Sequence, residues 1–294
     1  MADAALDKTI SEDLSVHSEN WVRQIPMPIC PNCRAVCDTA FCGGCGQKQL
    51  VQRLRFGGLI KDLFAKVTDV DRGLFFTFWA MLIRPGQVAK DYVRGKQKVY
   101  VNPLTFFFIG AAIQLLGLWI CEGELRSVIK EQFTTQREQQ PNIDRQMTEI
   151  ESRVGKPADQ FFADSYIGAM QQGYTYAALL FFSLPFAVML FLLHRIIGSE
   201  FYLGETVVFS LYVFGQILII TAISLPLALF IFGPILHGIL SMFVYLIFPM
   251  HAHRRFFPPG FVSRAMTLMA LLVSTATFGG SILVISVISM RLAG

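Results

Sequence analysis

The chain has 294 residues, of which 53% are hydrophobic and 16% are charged, and its mean hydropathy is +0.50. This composition is more apolar than a soluble domain normally is. The formal net charge is only +4, so the distribution of charge along the chain is more informative than its total. We therefore expect much of the surface to face lipid.

The chain begins with an acidic segment. Residues 1–20 contain five acidic residues and one lysine, and they lack the apolar core of a secretory signal peptide. We predict a disordered acidic tail here, so that the first membrane span acts as the insertion signal.

Two cysteine pairs follow the tail, each with two residues between its thiols. Two thiols at this spacing can reach one tetrahedral ion, and a second pair completes four-coordination. Because no ligand position is then left for water, the zinc is expected to be structural and not catalytic. We predict a zinc ribbon over residues 21–50 with the ligands Cys30, Cys33, Cys42 and Cys45.

Cys37 lies between the two pairs, and we interpret it as a spare thiol. Its use as a ligand in place of Cys33 would lose the CxxC spacing. A redox function for a pair is a weaker interpretation, since thioredoxin-like chemistry places its CxxC at the start of a helix after a strand. A disulfide-bonded scaffold would need an export signal ahead of the cysteines.

Residues 51–101 are predicted to form amphipathic and interfacial helices. Residues 56–67 repeat apolar side chains at helical spacing, as in an amphipathic helix. Residues 73–83 are apolar all round, but they are too short to cross about 30 Å of hydrocarbon. The sequence Arg84-Pro85-Gly86 is expected to end that helix.

Five membrane spans are predicted within residues 102–294. Asn102-Pro103 opens the first span, because proline is harmless in the first helical turn. The apolar stretch 206–250 is about twice the length of one crossing, and Pro226, Gly233 and Pro234 all offer places to turn, so we divide it into two spans. The spans are expected near 103–121, 174–194, 206–226, 228–250 and 265–290, with 251–264 as a cytosolic loop.

The distribution of charge predicts the orientation in the membrane. Residues 48–102 contain eleven Lys or Arg against four Asp or Glu, whereas 122–172 contain six against nine. Basic residues collect on the cytosolic flanks of spans, so the N-terminus is expected in the cytoplasm. The segment 122–172 is expected to be an external helical loop, and an odd number of spans places the C-terminus outside.

Six cations are assigned to the membrane interface: Lys90, Arg94, Lys96, Lys98, Arg254 and Arg255. We expect them to contact membrane lipids. A nucleic-acid partner is not expected, because these cations flank apolar segments and no recognisable nucleic-acid-binding module accompanies them.

Three polar residues are unexpected inside the predicted spans, namely Gln114, Gln216 and His237. Polar residues in a membrane normally face the bundle interior, so the three could line a site for a solute. The alternative is that they make hydrogen bonds between helices, which is the simpler interpretation because none carries a permanent charge.

Histidines and small residues give weaker signals. His194, His251 and His253 lie at predicted cytosolic boundaries. A metal site at the HxH pair and a solvated loop explain the last two equally well. The last span has a stripe of small residues, which indicates a packing face within the chain or with a second copy of it: Ala270, Ser274, Thr277 and Ser281.

Several stretches resemble one bacterial membrane-protein family. They are CPNC at 30–33, FCGGCGQK at 41–48, DRGLFFTF at 71–78 and RPGQVAKDYVRGKQKVYVNPLTFFF at 84–108. Together they are similar to the family catalogued as domain of unknown function 3667, in which a zinc-ribbon-like start precedes the first span. The resemblance implies a bacterial inner-membrane address and carries no activity. Arg34 departs from the pattern of ribbon proteins, which commonly have Gly there.

The sequence predicts an all-α polytopic membrane protein with a small cytosolic zinc ribbon. No Walker loop, nucleophile elbow, HExxH motif or dinucleotide fingerprint is present in it, which favours a non-enzymatic function. The first hypothesis is a scaffold, regulator or complex subunit whose zinc-folded platform binds a cytosolic or membrane protein. The alternative is a transporter or channel for a small solute, an ion or a lipid, with Pro185 and Pro226 as hinges.

Overall fold

The computed structural model describes residues 29–37, 39–48, 70–177, 182–198, 201–232 and 234–276. Within these residues the fold is helical, which confirms the predicted all-α class, and β pairing is limited to two isolated bridges. The predicted tail, the amphipathic helix at 56–67 and the end of the last span lie outside the described residues. The helices are α1 (Val70–Ile83), α2 (Gln87–Val93), α3 (Pro103–Ile120), α4 (Glu122–Gln139), α5 (Pro141–Val154), α6 (Ala158–Ala177), α7 (Leu184–Ile196), α8 (Leu203–Leu227), α9 (Pro234–Phe256) and α10 (Phe261–Ala276).

Two helices are long and apolar enough to cross a membrane. They are Pro103–Ile120 and Leu203–Ile231, and the second of these is α8 with the π-helical turn that continues it. Three others are apolar but shorter, namely Gly73–Ile83, Leu184–Ile196 and Phe261–Ala276. The described residues are therefore consistent with a membrane protein, and the arrangement of five spans stays a prediction.

The first long helix starts where the sequence predicts it. The side-chain oxygen of Asn102, the residue before α3, accepts a hydrogen bond from the Leu104 N–H at 3.0 Å. Pro103 follows in the first turn, where its missing N–H removes no helical bond. Gly86, with a left-handed φ of 81°, turns the chain from α1 into α2. A side chain there would collide with the backbone of Ala252 in α9.

Helices α3 and α8 form the centre of the bundle and pack closely through glycines. A β-carbon on Gly110 would lie 2.5 Å from the carbonyl oxygen of Gly215, and one on Gly117 would lie 3.1 Å from that of Ala222. Residue numbers rise together along the two helices, so the helices run parallel. Small residues permit this close approach, which is a main source of helix association in lipid.

Long-range contacts bring several helix ends together at one end of the bundle. The Lys90 Nζ in α2 donates to the Arg255 carbonyl in the last turn of α9 at 3.0 Å. His194 in the last turn of α7 lies 3.0 Å from the hydroxyl of Ser263 in the first turn of α10. Helix α3 begins shortly after α2, and α8 runs parallel to α3, so both of these helices start at this end. The start of α10 and the ends of α7 and α9 lie at the same end, around α2.

At the opposite end, α4, α5 and α6 form a helical cap over residues 122–177. Leu118, Cys121 and Leu225 make a small buried cluster, and Leu125 of α4 packs against it. This cluster joins the ends of α3 and α8 to the start of the cap. The helices of the predicted external loop are thus observed, whereas the side of the membrane on which they lie stays a prediction.

Ion pairs hold the cap helices to one another. Arg126 of α4 binds Asp164 of α6 at 2.6 Å, and Arg137 of α4 binds Asp144 and Glu151 of α5 at 2.9 Å and 2.8 Å. Apolar contacts join the cap as well, since the rings of Phe133 in α4 and Phe162 in α6 stack with their centroids 5.1 Å apart.

Two boundaries differ from the prediction. Helix α8 continues through Pro226 and then as the π-helical turn Ala228–Phe232, and α9 begins at Pro234. A helix packed among others tolerates the N–H that a proline lacks, so Pro226 does not end it. The predicted loop 251–264 is mostly helical, because α9 extends to Phe256 and α10 begins at Phe261.

Candidate metal centre and buried polar sites

The two cysteine pairs fold into equivalent turns. In the first, the Arg34 N–H donates to the Cys30 carbonyl at 3.0 Å, and in the second the Gly46 N–H donates to the Cys42 carbonyl at 2.8 Å. Arg34 and Gly46 adopt left-handed φ angles of 65° and 71°. This region favours Gly and is strained for Arg. The first turn therefore forms although it has Arg where ribbon proteins commonly have Gly.

The four predicted ligand sulfurs converge. Those of Cys30, Cys33, Cys42 and Cys45 all lie within 4.8 Å of one another. The separation is 3.7 Å between Cys30 and Cys45 and 3.4 Å between Cys33 and Cys42. A tetrahedral ion with bonds of about 2.3 Å holds its sulfurs about 3.8 Å apart. The four cysteines can therefore hold a zinc ion with only small shifts.

Backbone amides of the second turn face the sulfur of Cys42. Burial opposes ionisation of this thiol, but the N–H groups of Cys45 and Gly44 and the thiols of Cys33 and Cys37 outweigh it and lower its pKa. A lowered pKa favours the thiolate, which is the form that binds metal. The Gly-Gly turn thus brings hydrogen-bond donors to a candidate ligand.

Cys37 is a fifth sulfur beside the candidate metal centre. It is buried, and its thiol donates to the Ala35 carbonyl at 3.5 Å. Burial, followed by the thiol of Cys42, raises the pKa of Cys37 to about 11. The Ala35 N–H lowers the pKa of the candidate ligand Cys33, but the thiol of Cys42 and burial outweigh it and raise that pKa to about 12. The pKa therefore does not distinguish the two cysteines, and the interpretation of Cys37 as a spare thiol rests on the convergence of the other four sulfurs.

The second turn also contacts the segment that leads into α3. Gln47 is buried, and its Oε1 accepts a hydrogen bond from the backbone N–H of Lys98 at 2.9 Å. This contact links residues 51 positions apart, and no sequence pattern indicates it. The candidate metal centre is therefore attached to the α2 end of the bundle.

The polar residues predicted inside the spans do not share one environment. The Thr221 hydroxyl of α8 donates to Gln114 Oε1 of α3 at 2.9 Å, which is a contact between helices. Gln216 lies five residues before Thr221, so it points about 140° away around α8. It is fully buried, and neither amide atom has a hydrogen-bond partner among the described residues. The side chain of His237 lies outside the described part of the chain.

A polar network that the sequence did not reveal joins α7, α9 and α10. His194 Nδ1 lies 2.9 Å from the Leu190 carbonyl, which can only accept, so this nitrogen carries the proton. The Ser263 hydroxyl then donates to His194 Nε2 at 3.0 Å and accepts from His253 Nε2 at 3.1 Å. The Thr267 hydroxyl donates to His253 Nδ1 at 2.7 Å. All four ring nitrogens are thus partnered while both imidazoles are neutral.

Burial and position distinguish His251 from His253, the two histidines that the sequence suggested as either a metal site or a solvated loop. His253 is only 1% exposed, whereas His251, two residues earlier, is exposed on the opposite side of α9. Burial, followed by the nearby His194 and Arg264, lowers the pKa of His253 to about 4. The two histidines therefore do not form a metal site together, and the solvated interpretation fits His251 alone.

Among the described residues of the helical bundle, nine cations lie around the end at which α2 lies, and we call it the basic end. Lys90 is used within the fold, through its bond to the Arg255 carbonyl, and Lys96 lies 3.9 Å from Asp91. The nine include the six predicted interface cations, and they are Arg84, Lys90, Arg94, Lys96, Lys98, Arg195, Arg254, Arg255 and Arg264.

Residues 71–115 match a protein family described as "Protein of unknown function (DUF3667)". The matched stretch runs from α1 into α3 and includes four of the predicted interface cations. No curated protein and no solved structure matches the chain. The chain is therefore similar to this family over the approach to the first long helix, and the comparison indicates no activity.

Proposed function

We propose that this chain is an integral membrane protein whose zinc-folded ribbon is a docking platform for a partner protein. Exposed apolar surface supports the membrane assignment, because a water-soluble monomer rarely exposes a large contiguous patch of this kind. Helix α9 alone exposes six large apolar side chains: Ile239, Leu240, Met242, Phe243, Leu246 and Ile247.

The proposed address is the bacterial inner membrane, with five spans and the C-terminus in the periplasm. The cation-rich basic end is proposed to face the cytoplasm and the acidic cap the periplasm, as the charge asymmetry of membrane proteins favours. The parallel direction of α3 and α8 supports this arrangement, since both would cross from the cytoplasm outward.

The proposed cofactor is one structural zinc ion. Four thiolates leave no open position for water or substrate, so the ion would stabilise the ribbon and perform no chemistry. The buried cluster of the ribbon consists of Cys30, Cys37 and Cys42, with Ala35 and Cys45 packed against it. Such a core is too small to fold alone, so metal binding substitutes for hydrophobic burial.

The docking proposal rests on the surface of the ribbon. Val36 is 74% exposed, Phe41 is 59% exposed and Ile29 is 57% exposed. These side chains add nothing to the small core, so a contact with another protein gives their exposure a function.

The test uses the full-length protein, with zinc measured by elemental analysis and partners by quantitative cross-linking mass spectrometry in membranes. Val36→Ser with Phe41→Ser should keep one zinc per chain and lose the cross-links of the ribbon. Lys48→Gln, an exposed change in the same ribbon, should keep both. Ribbon cross-links that persist in the double variant would contradict the docking proposal.

Transport of a small solute, an ion or a lipid is a second candidate function, and Gln216 favours it. A buried amide without a partner costs about 1–3 kcal/mol, and a passing ligand would satisfy it. Potassium flux and the scrambling of a fluorescent phospholipid in proteoliposomes are suitable probes. Gln216→Leu should reduce the activity and Gln114→Leu should leave it, whereas flux that survives Gln216→Leu would contradict this candidate.

A further inference from the structure

We propose that the basic end holds the phosphate group of an anionic phospholipid through Arg254, Arg255 and Arg264. This inference deepens the proposed membrane assignment and rests on it. It names the chemistry of the lipid and the side chains that bind it.

The acids described at this end are already used within the protein. Asp91 accepts hydrogen bonds from Gln87 at 2.6 Å and from the Tyr100 hydroxyl at 3.1 Å. Glu205 is buried and accepts from the Tyr202 N–H at 3.1 Å, where it caps the start of α8. The exposed arginines make no ion pair within the described residues. No described acid therefore neutralises them, and they are free to bind an anion.

The three arginines lie close together. Arg254 and Arg255 are consecutive in the last turn of α9, and Arg264 lies in the first turn of α10 after the connection 257–260. Ser263, the neighbour of Arg264, has its hydroxyl 3.1 Å from Nε2 of His253, the neighbour of Arg254. Lys90 satisfies the carbonyl of Arg255, so the guanidinium groups are not needed to cap α9. Guanidinium groups match phosphate oxygens with paired hydrogen bonds.

Apolar side chains beside these cations favour a lipid over a soluble phosphate. Phe261 is 85% exposed and Val262 is 55% exposed, and both lie between Arg255 and Arg264 in the chain. At the headgroup layer, apolar side chains can enter the acyl region while arginines reach the phosphates. A site for free phosphate would gain nothing from an exposed Phe.

The test measures lipid retention by native mass spectrometry of the full-length protein in detergent. Phosphatidylglycerol should bind in preference to phosphatidylcholine. Arg254→Gln, Arg255→Gln and Arg264→Gln together should weaken its binding by about fivefold for each cation removed. The matched control removes three exposed cations of the cap, Lys130→Gln, Arg145→Gln and Lys156→Gln, and should leave binding unchanged.

Equal binding of the two lipids, or an equal loss in the control, would overturn the proposal. Displacement of the lipid by excess inorganic phosphate would identify a soluble ligand and would overturn it as well. Carbonate extraction of membranes that contain the protein tests the membrane assignment separately from the lipid site. Protein that resists extraction but shows no lipid preference overturns the lipid site alone, whereas protein that is released overturns the proposed function.

Discussion

The two ends of the bundle handle charge in opposite ways. In the cap, Arg126 and Arg137 each contact two carboxylates of the same cap. At the basic end, the exposed arginines Arg254, Arg255 and Arg264 make no described ion pair, and His194 and His253 are buried. The cap therefore pairs several of its charges internally and is suited to water. The basic end is proposed to depend on a metal ion for its ribbon and on a lipid for its arginines.

Removal of metal should produce the largest difference in stability between the basic end and the cap. Structural zinc contributes about 10 kcal/mol or more in small zinc-folded peptides, so Cys45→Ser or a chelator should unfold residues 29–48. Hydrogen exchange should rise throughout the ribbon and stay unchanged in the cap. Cys37→Ser is the matched control and should retain one zinc per chain. A ribbon that stays protected without metal would contradict the structural role of zinc.

Disruption of the histidine network should weaken the basic end by a smaller amount. Ser263→Ala removes a partner from both imidazoles, and each buried group left unpaired costs about 1–3 kcal/mol. The expected result is a lower Tm together with faster exchange in α10. Thr275→Ala in the same helix removes only a local bond to the Leu271 carbonyl and should have little effect. Equal losses in both variants would show that the network contributes nothing specific.

Acid should weaken the basic end before the cap. His253 has a pKa lowered from 6.5 to about 4 in the fold, so the unfolded chain binds more protons between these values. Stability should then fall as the pH drops from 6.5 towards 4, by at most about 3 kcal/mol. In the cap, the Ala158 N–H and then Arg137 lower the pKa of Glu151 below 4.5, so that contribution is lost only at lower pH.

The measurement is hydrogen exchange in α10 and α5 across this pH range, corrected for intrinsic rates. Between pH 6.5 and 4.5, α10 should lose protection and α5 should keep it. His253→Gln should reduce the dependence in α10, and what remains would come from His194, the other buried imidazole of the network. Loss of protection in α5 at a higher pH than in α10 would contradict the prediction that acid weakens the basic end before the cap.

The smallest effect is expected from one ion pair of the cap. Arg137→Gln removes contacts to one exposed and one partly buried carboxylate, Asp144 and Glu151. Ion pairs near the surface contribute little, so the Tm should fall by about 1–2 °C. The loss should shrink in about 0.5 M salt, which screens such pairs. Arg145→Gln makes the same change without a described partner and should leave the Tm unchanged. A salt-independent loss would contradict the electrostatic account of the cap.

Local patterns predicted the parts of the molecule that are encoded locally. The CxxC spacing predicted which four sulfurs meet, and the Asn-Pro pair predicted the start of α3. Contacts between distant segments left no such pattern, since His194 and Ser263 are 69 residues apart and Gln47 bonds across 51 residues. Ser263 and Thr267 stand one helical turn apart, but such pairs are common and the sequence does not show which helix faces them.

The break between α8 and α9 shows the same limit. Pro226, Gly233 and Pro234 are all turn signals, and local propensity alone does not choose among them. The helix runs through Pro226 because packing against α3 and its other neighbours outweighs one missing N–H. Of these three residues, only Pro234 marks a helix start, because it lies in the first turn of α9.

The two ends are proposed to face different compartments, with the ribbon on the side of the basic end. Lysine labelling with a membrane-impermeant amine reagent, read by mass spectrometry in spheroplasts and in inverted vesicles, tests this directly without any mutation. Lys130 and Lys156 of the cap should react only from the periplasmic side, and Lys48 of the ribbon only from the cytoplasmic side. Labelling of Lys48 and Lys156 from the same side would contradict the proposed orientation.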